Sequence, residues 1–74
     1  MITKEELRQA GFTPWFDKSE RRWSFDGDRI MYDFVEQSLY DSDEVYGSHV
    51  KLCVIREIED LKEMVYSYFK VEVF

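Results

Sequence analysis

The dipeptide Asp26-Gly27 divides the apolar-rich segment RWSFDGDRIMYDF into two runs. A two-residue hairpin turn of type I′ needs positive φ angles at both of its central residues, and Asp-Gly meets this requirement at little steric cost. The pattern therefore predicts an antiparallel hairpin. In the predicted register three pairs face each other across the strands: Phe25 with Asp28, Trp23 with Ile30, and Arg21 with Tyr32.

This register sorts the side chains of the hairpin onto two faces, because successive side chains of a strand point to opposite sides. The predicted apolar face consists of Trp23, Phe25, Ile30, Tyr32 and Phe34. The other face consists of Arg22, Ser24, Arg29, Met31 and Asp33. A strand at about Trp15–Asp17, with Phe16 on the same face as Trp23, is expected to precede the hairpin and complete a three-stranded meander.

The first residues of the chain predict a short helix. Thr3 and Glu6 have the spacing of a capping box, in which each side chain accepts a hydrogen bond from an unpaired backbone N–H of the first turn. Gly11 supplies the left-handed residue that ends many helices. We expect this helix to cover Lys4–Ala10.

A further strand and a second helix are predicted in the C-terminal third. HVKLCVI, residues 49–55, is predicted to be a strand, because every second residue is apolar on one face. This predicted apolar face consists of Val50, Leu52 and Val54. Apolar side chains then recur at intervals of three and four, which predicts an amphipathic helix over about Glu57–Phe69. The tail from about Lys70 is rich in β-forming residues and predicts a short terminal strand.

These elements predict a single α+β domain over residues 1–74. It would contain a short N-terminal helix, an antiparallel meander of three to four strands, and a C-terminal amphipathic helix packed on the sheet. The stretch LYDSDEVYGSH, residues 39–49, is interpreted as an acidic loop before the last strand.

Composition limits the classes of function. The net charge of -6 argues against direct binding to nucleic acid or to an anionic membrane, since both need a cationic surface. The single cysteine excludes an internal disulfide, and the first residues do not have the pattern of a signal peptide or membrane anchor, so we expect a cytoplasmic protein. Aromatic residues make up 18% of the chain, and a homodimer would cover those that a small core cannot hold.

Two chemical sites can be tested against the sequence. Asp41, Asp43 and Glu44 begin like a calcium loop, but the later positions that need an oxygen ligand, glycine and glutamate hold Val45, Tyr46 and Leu52. His49 and Cys53 share one face of the predicted strand, yet four residues separate them by roughly 13 Å, too far for a nucleophile and its base. We therefore expect no metal, no cofactor and no catalysis. A small thiol enzyme or hydrolase is the less favoured alternative.

The negative charge is concentrated in one part of the chain. Residues 36–49 contain four acidic side chains and no lysine or arginine, so they carry -4 of the net -6. Tyrosines anchor many protein interfaces, and charge steers the encounter of partners. The predicted partner-binding residues are Glu36, Tyr40, Asp41, Asp43, Glu44 and Tyr46. The predicted partner is a protein with a basic surface, and an ordinary solvated loop is the alternative.

The opening MITKEELRQAGF, the aromatic hairpin and the closing helix with IEDLKEM resemble small acidic accessory proteins of bacteriophages and mobile elements. The resemblance implies a factor that binds and blocks a protein of a bacterial host cell, such as a nucleic-acid-binding or defence protein. Acidic factors of this kind include mimics of the phosphate charge of DNA. The charges of the hairpin cancel, so mimicry by this chain would rest on residues 36–49 alone. We accordingly hypothesise a non-catalytic inhibitor, with a self-associating homodimeric protein as the alternative.

Overall fold

The computed structural model describes residues 1–15, 21–27, 29–43 and 47–73. Within these ranges the chain forms a five-stranded antiparallel meander with a helix before it and a helix after it, so the predicted α+β class is confirmed. In chain order the elements are α1 Lys4–Gln9, β1 Thr13–Pro14, β2 Arg22–Phe25, β3 Ile30–Asp33, β4 Ser38–Asp43, β5 Ser48–Val54 and α2 Ile58–Phe69.

Helix α1 has the predicted start and ends one residue before the predicted end. Thr3 Oγ1 accepts a hydrogen bond from the N–H of Glu6, and Glu6 Oε1 accepts one from the N–H of Thr3 at 2.9 Å. Gly11 follows the helix with a φ of 100°. The N–H of Phe12 then donates to the C=O of Leu7 at 2.9 Å, which is the outer hydrogen bond of a Schellman motif. Six residues of helix are thus stabilised at both ends.

The β2–β3 hairpin has the predicted faces but a different register. Asp26 and Gly27 both have positive φ angles, 59° and 63°, as expected for this dipeptide. Phe25, however, pairs with Ile30 and not with Asp28, so the connection is four residues long and the other two predicted pairs are wrong as well. The displacement is two residues, and because the side-chain period of a strand is also two, each side chain of β2 and β3 stays on its predicted face. Arg29 lies in the turn, and its side chain contacts Asp41 and Phe69 on the helix side, so the predicted face is wrong for this residue.

The strand before the hairpin lies earlier than predicted. β1 contains only Thr13 and Pro14, and Pro14 faces Trp23 of β2. Trp15 follows β1 outside regular secondary structure, although its N–H still donates to the C=O of Arg22 at 2.8 Å. Residues 16 and 17 of the predicted strand lie outside the described residues.

Residues 38–43, predicted as part of an acidic loop, form strand β4. This strand lies between β3 and β5 and pairs with both, so the sheet has five strands where three to four were predicted. Serine is common in loops, yet Ser38 and Ser42 are both buried. They lie on the face of the sheet opposite to that of Leu39. The acidic-loop prediction is therefore wrong for this segment.

β5 confirms the predicted strand but contains a β-bulge. Tyr40 of β4 pairs with Lys51, whereas the preceding residue, Leu39, pairs with Cys53. Leu52 is therefore the extra residue, with no partner of its own across the ladder. An inserted residue bends the strand and reverses the alternation of side chains beyond it.

The bulge makes the predicted apolar face of β5 wrong for Val54. Leu52, Cys53 and Ile55 contact the hydrophobic core. Val50 pairs with Asp41 on the helix side but is 55% exposed, and Val54 pairs with Ser38 on the opposite face and is 49% exposed. Before the bulge the even-numbered side chains face the helices, and after it the odd-numbered ones do. A prediction from strict alternation along the sequence therefore cannot be correct on both sides of the bulge.

Both helices pack on the same face of the sheet. The fully buried core joins side chains from α1, the central strands and α2: Leu7, Trp23, Tyr32, Leu39, Leu61 and Val65. Helix α2 begins one residue after the predicted start and ends at Phe69 as predicted, followed by Lys70 with a φ of 60°. Residues 70–73 form no strand, so the predicted terminal strand is wrong for the part of the tail that the structure describes. Within the described ranges, neither helix has the length and apolar character that a membrane span requires.

Candidate functional site

The structure separates the predicted partner-binding residues. Glu36 lies in the turn before β4, whereas Asp43 is the last residue of β4. Six strand residues span roughly 20 Å, so these two carboxylates lie at opposite ends of the strand. Tyr40 and Asp41 are neighbours in β4 and point to opposite faces of the sheet. Two further predicted residues lie outside the described ranges, Glu44 and Tyr46.

Glu36 and Tyr40 are in direct contact. The hydroxyl of Tyr40 donates a hydrogen bond to Glu36 Oε2. This hydrogen bond is the main reason that the pKa of Tyr40 is raised, with burial and nearby negative charge as smaller causes. The pair combines one predicted charge with one predicted aromatic anchor, on the sheet face that points away from the helices.

Asp41 lies on the helix side of the sheet, where its charge is partly compensated. The hydroxyl of Tyr68 donates to Asp41 Oδ2 at 3.2 Å, and Arg29 Nε lies 3.7 Å from Asp41 Oδ1. The hydrogen bond to Asp41 raises the pKa of Tyr68. Asp41 and Asp43 line an open depression of about 440 Å³ at this end of the sheet, together with Arg29. The four described residues of the predicted site therefore do not form one uniformly negative patch.

A charged cluster that the sequence did not indicate surrounds Asp33. This carboxylate is 2% exposed, and Arg21 Nε donates to its two oxygens at 3.1 and 2.9 Å. The N–H groups of Val35 and Glu36 donate to Asp33 Oδ1 at 2.8 and 3.1 Å. Both carboxylate oxygens of Asp33 therefore accept hydrogen bonds from within the protein, and these bonds stabilise the turn between β3 and β4. The sequence does not indicate this contact, because only the correct strand register brings Arg21 beside Asp33.

The structure places His49 and Cys53 on different faces of the sheet, so the prediction that they share a face is wrong. His49 Nδ1 lies 2.7 Å from the hydroxyl oxygen of Ser42, and its ring makes an edge contact with Trp15. Cys53 lies beyond the bulge at Leu52 and contacts the core. Burial raises the pKa of the Cys53 thiol, which lowers the population of the nucleophilic thiolate.

The two edges of the sheet differ in a way that the sequence did not predict. β1 is two residues long and contains Pro14, which has no backbone N–H. A very short strand and an edge proline both hinder pairing with a further strand. β5 is seven residues long and forms the opposite edge. Lys51 and the bulge at Leu52 interrupt this edge, and Cys53–Val54 continues it toward Ile55.

Val54 directs its backbone polar groups toward the free side of β5. The N–H of Ile55 donates to the C=O of Gln37 at 2.7 Å, which directs the backbone of Ile55 toward the start of β4. Backbone groups of successive residues in an antiparallel ladder point to opposite sides. The N–H and C=O of Val54 therefore point away from β4, and no described strand lies beyond β5.

A groove of about 350 Å³ runs between the end of β5 and helix α2. Its strand side is formed by Cys53, Val54 and Ile55. Its helix side is formed by Asp60, Glu63, Met64 and Ser67. The groove thus places an unpaired strand edge beside two carboxylates of a helix. We call it the β5–α2 groove.

Comparison with known proteins identifies no relative, so a proposed function depends on the geometry of the structure alone. No family model, curated protein or solved structure matches this chain. Within the described ranges, no group of three or more His, Cys, Asp or Glu side chains is placed to hold a metal ion. Among the described strands, β5 forms the edge of the sheet opposite β1.

Proposed function

We propose that this chain is a non-catalytic binding module, and that its protein partner adds an extended segment to the free edge of β5. The observation that supports this proposal is the difference between the two edges of the sheet. β1 is closed to pairing by its length and by Pro14, whereas β5 is seven residues long and, beyond the interruption at Lys51 and Leu52, presents the outward N–H and C=O of Val54.

An added strand would pair these groups with a partner's backbone. Main-chain hydrogen bonds supply affinity in this mode of recognition, and side-chain pockets supply specificity. The net charge of -6 favours a partner with a basic surface, because opposite charge accelerates encounter. The proposal keeps the predicted class of partner and moves the binding surface from the acidic segment to β5.

The predicted acidic residues have a secondary place in this proposal. Asp43 pairs with Ser48 at the beginning of β5, so it lies beside the proposed binding edge. Glu36 lies beyond the other end of β4 and contributes only to the overall charge. Inhibition of a host protein, which the resemblance implies, stays a prediction.

The test is peptide binding along β5. Short random peptides selected for binding should shift the backbone amide resonances of Ser48–Val54 and slow hydrogen exchange at the N–H of Val54. Binding that leaves these resonances unchanged, or a library from which no binder emerges, would contradict the proposal.

A matched pair of variants isolates the backbone contribution. Val54→Pro removes the outward N–H, and proline is tolerated at an edge position whose N–H faces solvent. Val54→Ala shortens the side chain and keeps the N–H. Peptide affinity should fall about fivefold in Val54→Pro and stay within about twofold in Val54→Ala, since one hydrogen bond contributes about 1 kcal/mol.

A further inference from the structure

The β5–α2 groove has an apolar floor and an acidic rim. Ile55 is 6% exposed, and Cys53 and Met64 pack against the core. Asp60 and Glu63 stand above this floor, three positions apart on α2 and therefore on the same side of the helix. The described residues that line the groove include no lysine or arginine.

A strand added to β5 would direct alternate side chains toward α2. Side chains of a strand point in turn to the two faces of its sheet, and α2 covers one face. The side chains on that face would enter the β5–α2 groove beside Asp60 and Glu63. A long side chain with a cationic end fits both parts of the groove, since its methylene stem contacts the floor and its charge reaches the rim.

We infer, on the basis of the proposed function, that the β5–α2 groove binds an extended basic segment of a partner protein, with a lysine or arginine facing α2. Two features of the groove carry this choice: the outward N–H and C=O of Val54, which select an extended backbone, and the two carboxylates of the rim, which select a cationic side chain.

A second copy of this chain fits the groove poorly. Two β5 strands that pair antiparallel about a two-fold axis place both α2 helices on the same face of the joined sheet. Asp60 and Glu63 of one copy would then approach the same carboxylates of the other, and each chain carries a net charge of -6. Like charges brought together disfavour this pairing.

The test uses capped peptides of alternating valine and lysine, with matched peptides in which every lysine is replaced by glutamine or by glutamate. Affinities are measured by fluorescence anisotropy at low ionic strength. We expect the lysine peptide to bind about tenfold more tightly than the glutamine peptide, because two exposed ion pairs together contribute about a factor of ten. The glutamate peptide should bind most weakly.

Two double variants locate the source of this preference. Asp60→Asn with Glu63→Gln should reduce the preference for lysine to about twofold or less. Glu5→Gln with Asp26→Asn changes the net charge by the same amount at exposed positions outside the groove, and it should leave the tenfold preference in place. An equal loss in both variants would show that net charge alone steers the peptide, and would overturn the inference.

The remaining outcomes separate this inference from the proposed function. If the lysine and glutamine peptides bind equally and both shift the amide resonances of Ser48–Val54, β5 is the binding edge but the groove does not select charge, and the inference is wrong. If no peptide shifts these resonances, both proposals are wrong. Resonances of β5 that shift with protein concentration alone would identify a second copy as the occupant, which also overturns the inference.

Discussion

Tyr32 brings a polar group into the centre of the core. Its side chain is 1% exposed, and its hydroxyl donates to the C=O of Ile55 at 2.7 Å. Burial, and to a lesser degree the charge of Asp33, raises the pKa of Tyr32 to about 12. The hydrogen bond joins β3 to the segment after β5, and it depends on a protonated phenol.

Tyr32 should make the protein sensitive to high pH. The pKa of tyrosine in an unfolded chain is about 10, so the folded protein holds the phenolic proton more tightly. Its contribution to stability is fully present below about pH 10 and is lost as the pH rises through about 12, a change of roughly 2–3 kcal/mol. Urea unfolding across this range measures it.

The variant Tyr32→Phe assigns this pH dependence. At about pH 8 it should be less stable than the parent by about 1–2 kcal/mol, because the buried C=O of Ile55 loses its donor. Between about pH 10 and pH 12 its stability should fall less than that of the parent. Tyr66→Phe removes a hydroxyl from a side chain that is 61% exposed and serves as the control. An alkaline loss as large in Tyr32→Phe as in the parent would exclude Tyr32 as its source.

Helix α1 shows how far local signals reach. Its capping box and its glycine stop were predicted from residues within one turn of each end, and both are present. Such signals work because the hydrogen bonds they form join residues close together in the chain. Gly11 has a second role that depends on the fold, because a Cβ atom at this position would lie 2.8 Å from Cε2 of Phe25.

Gly11→Ala should therefore be more destabilising than the same change at another glycine with positive φ. Gly27 has a φ of 63°, and among the described residues a Cβ there meets no atom within 4 Å. Gly27→Ala should cost about 1 kcal/mol from backbone strain alone. Gly11→Ala should cost about 2–3 kcal/mol, since steric overlap with Phe25 adds to the strain. Equal losses in the two variants, measured by urea unfolding, would show that Phe25 moves aside freely.

Strand β4 was missed because its residues carry the local signals of a loop. Aspartate and serine are uncommon in strands, and SLYDSD contains four such residues among six. Their neighbours in the sheet override that preference. Leu39 enters the core from β4, Ser42 faces His49, and Asp41 is bonded by Tyr68 from the second helix. Tyr68 is 27 residues from Asp41 along the chain, so this contact is not visible in the local sequence pattern.

The β5 bulge shows a different limit of pattern reading. Alternation predicted the strand correctly, but it assigned Val54 to the helix side of the sheet, whereas Val54 pairs with Ser38 on the opposite face. The extra residue, Leu52, is defined by the pairing of β4 with β5, so it has no signature within HVKLCVI itself. The separation of His49 from Cys53 follows from the same residue.

The whole molecule depends on one small core. A domain of 74 residues is expected to have a free energy of unfolding of only about 4–11 kcal/mol. The core side chains of both helices and of the central strands form one cluster beneath a single face of the sheet. Truncation of one well-buried aliphatic side chain should therefore remove a large fraction of the total free energy of unfolding.

Two valines test this dependence with the same chemical change. Val65 is 0% exposed in α2, and Val35 is 70% exposed in the turn before β4. Val65→Ala should cost about 2 kcal/mol and lower the thermal midpoint by about 8–16 °C. Val35→Ala should stay within about 0.5 kcal/mol of the parent. Similar midpoints for the two variants would contradict a core centred on the α2–sheet contact.

The amino-acid sequence alone specifies both helices, the positive φ angles of Asp26 and Gly27, the faces of the β2–β3 strands and the existence of β5. Each depends on capping, on positive φ or on apolar periodicity, which act over a few neighbouring residues. The hairpin register, strand β4, the bulge at Leu52 and the free edge at β5 appear only in the folded chain. They arise from pairing between separate strands, where burial and cross-strand contacts outweigh the preferences of the individual residues.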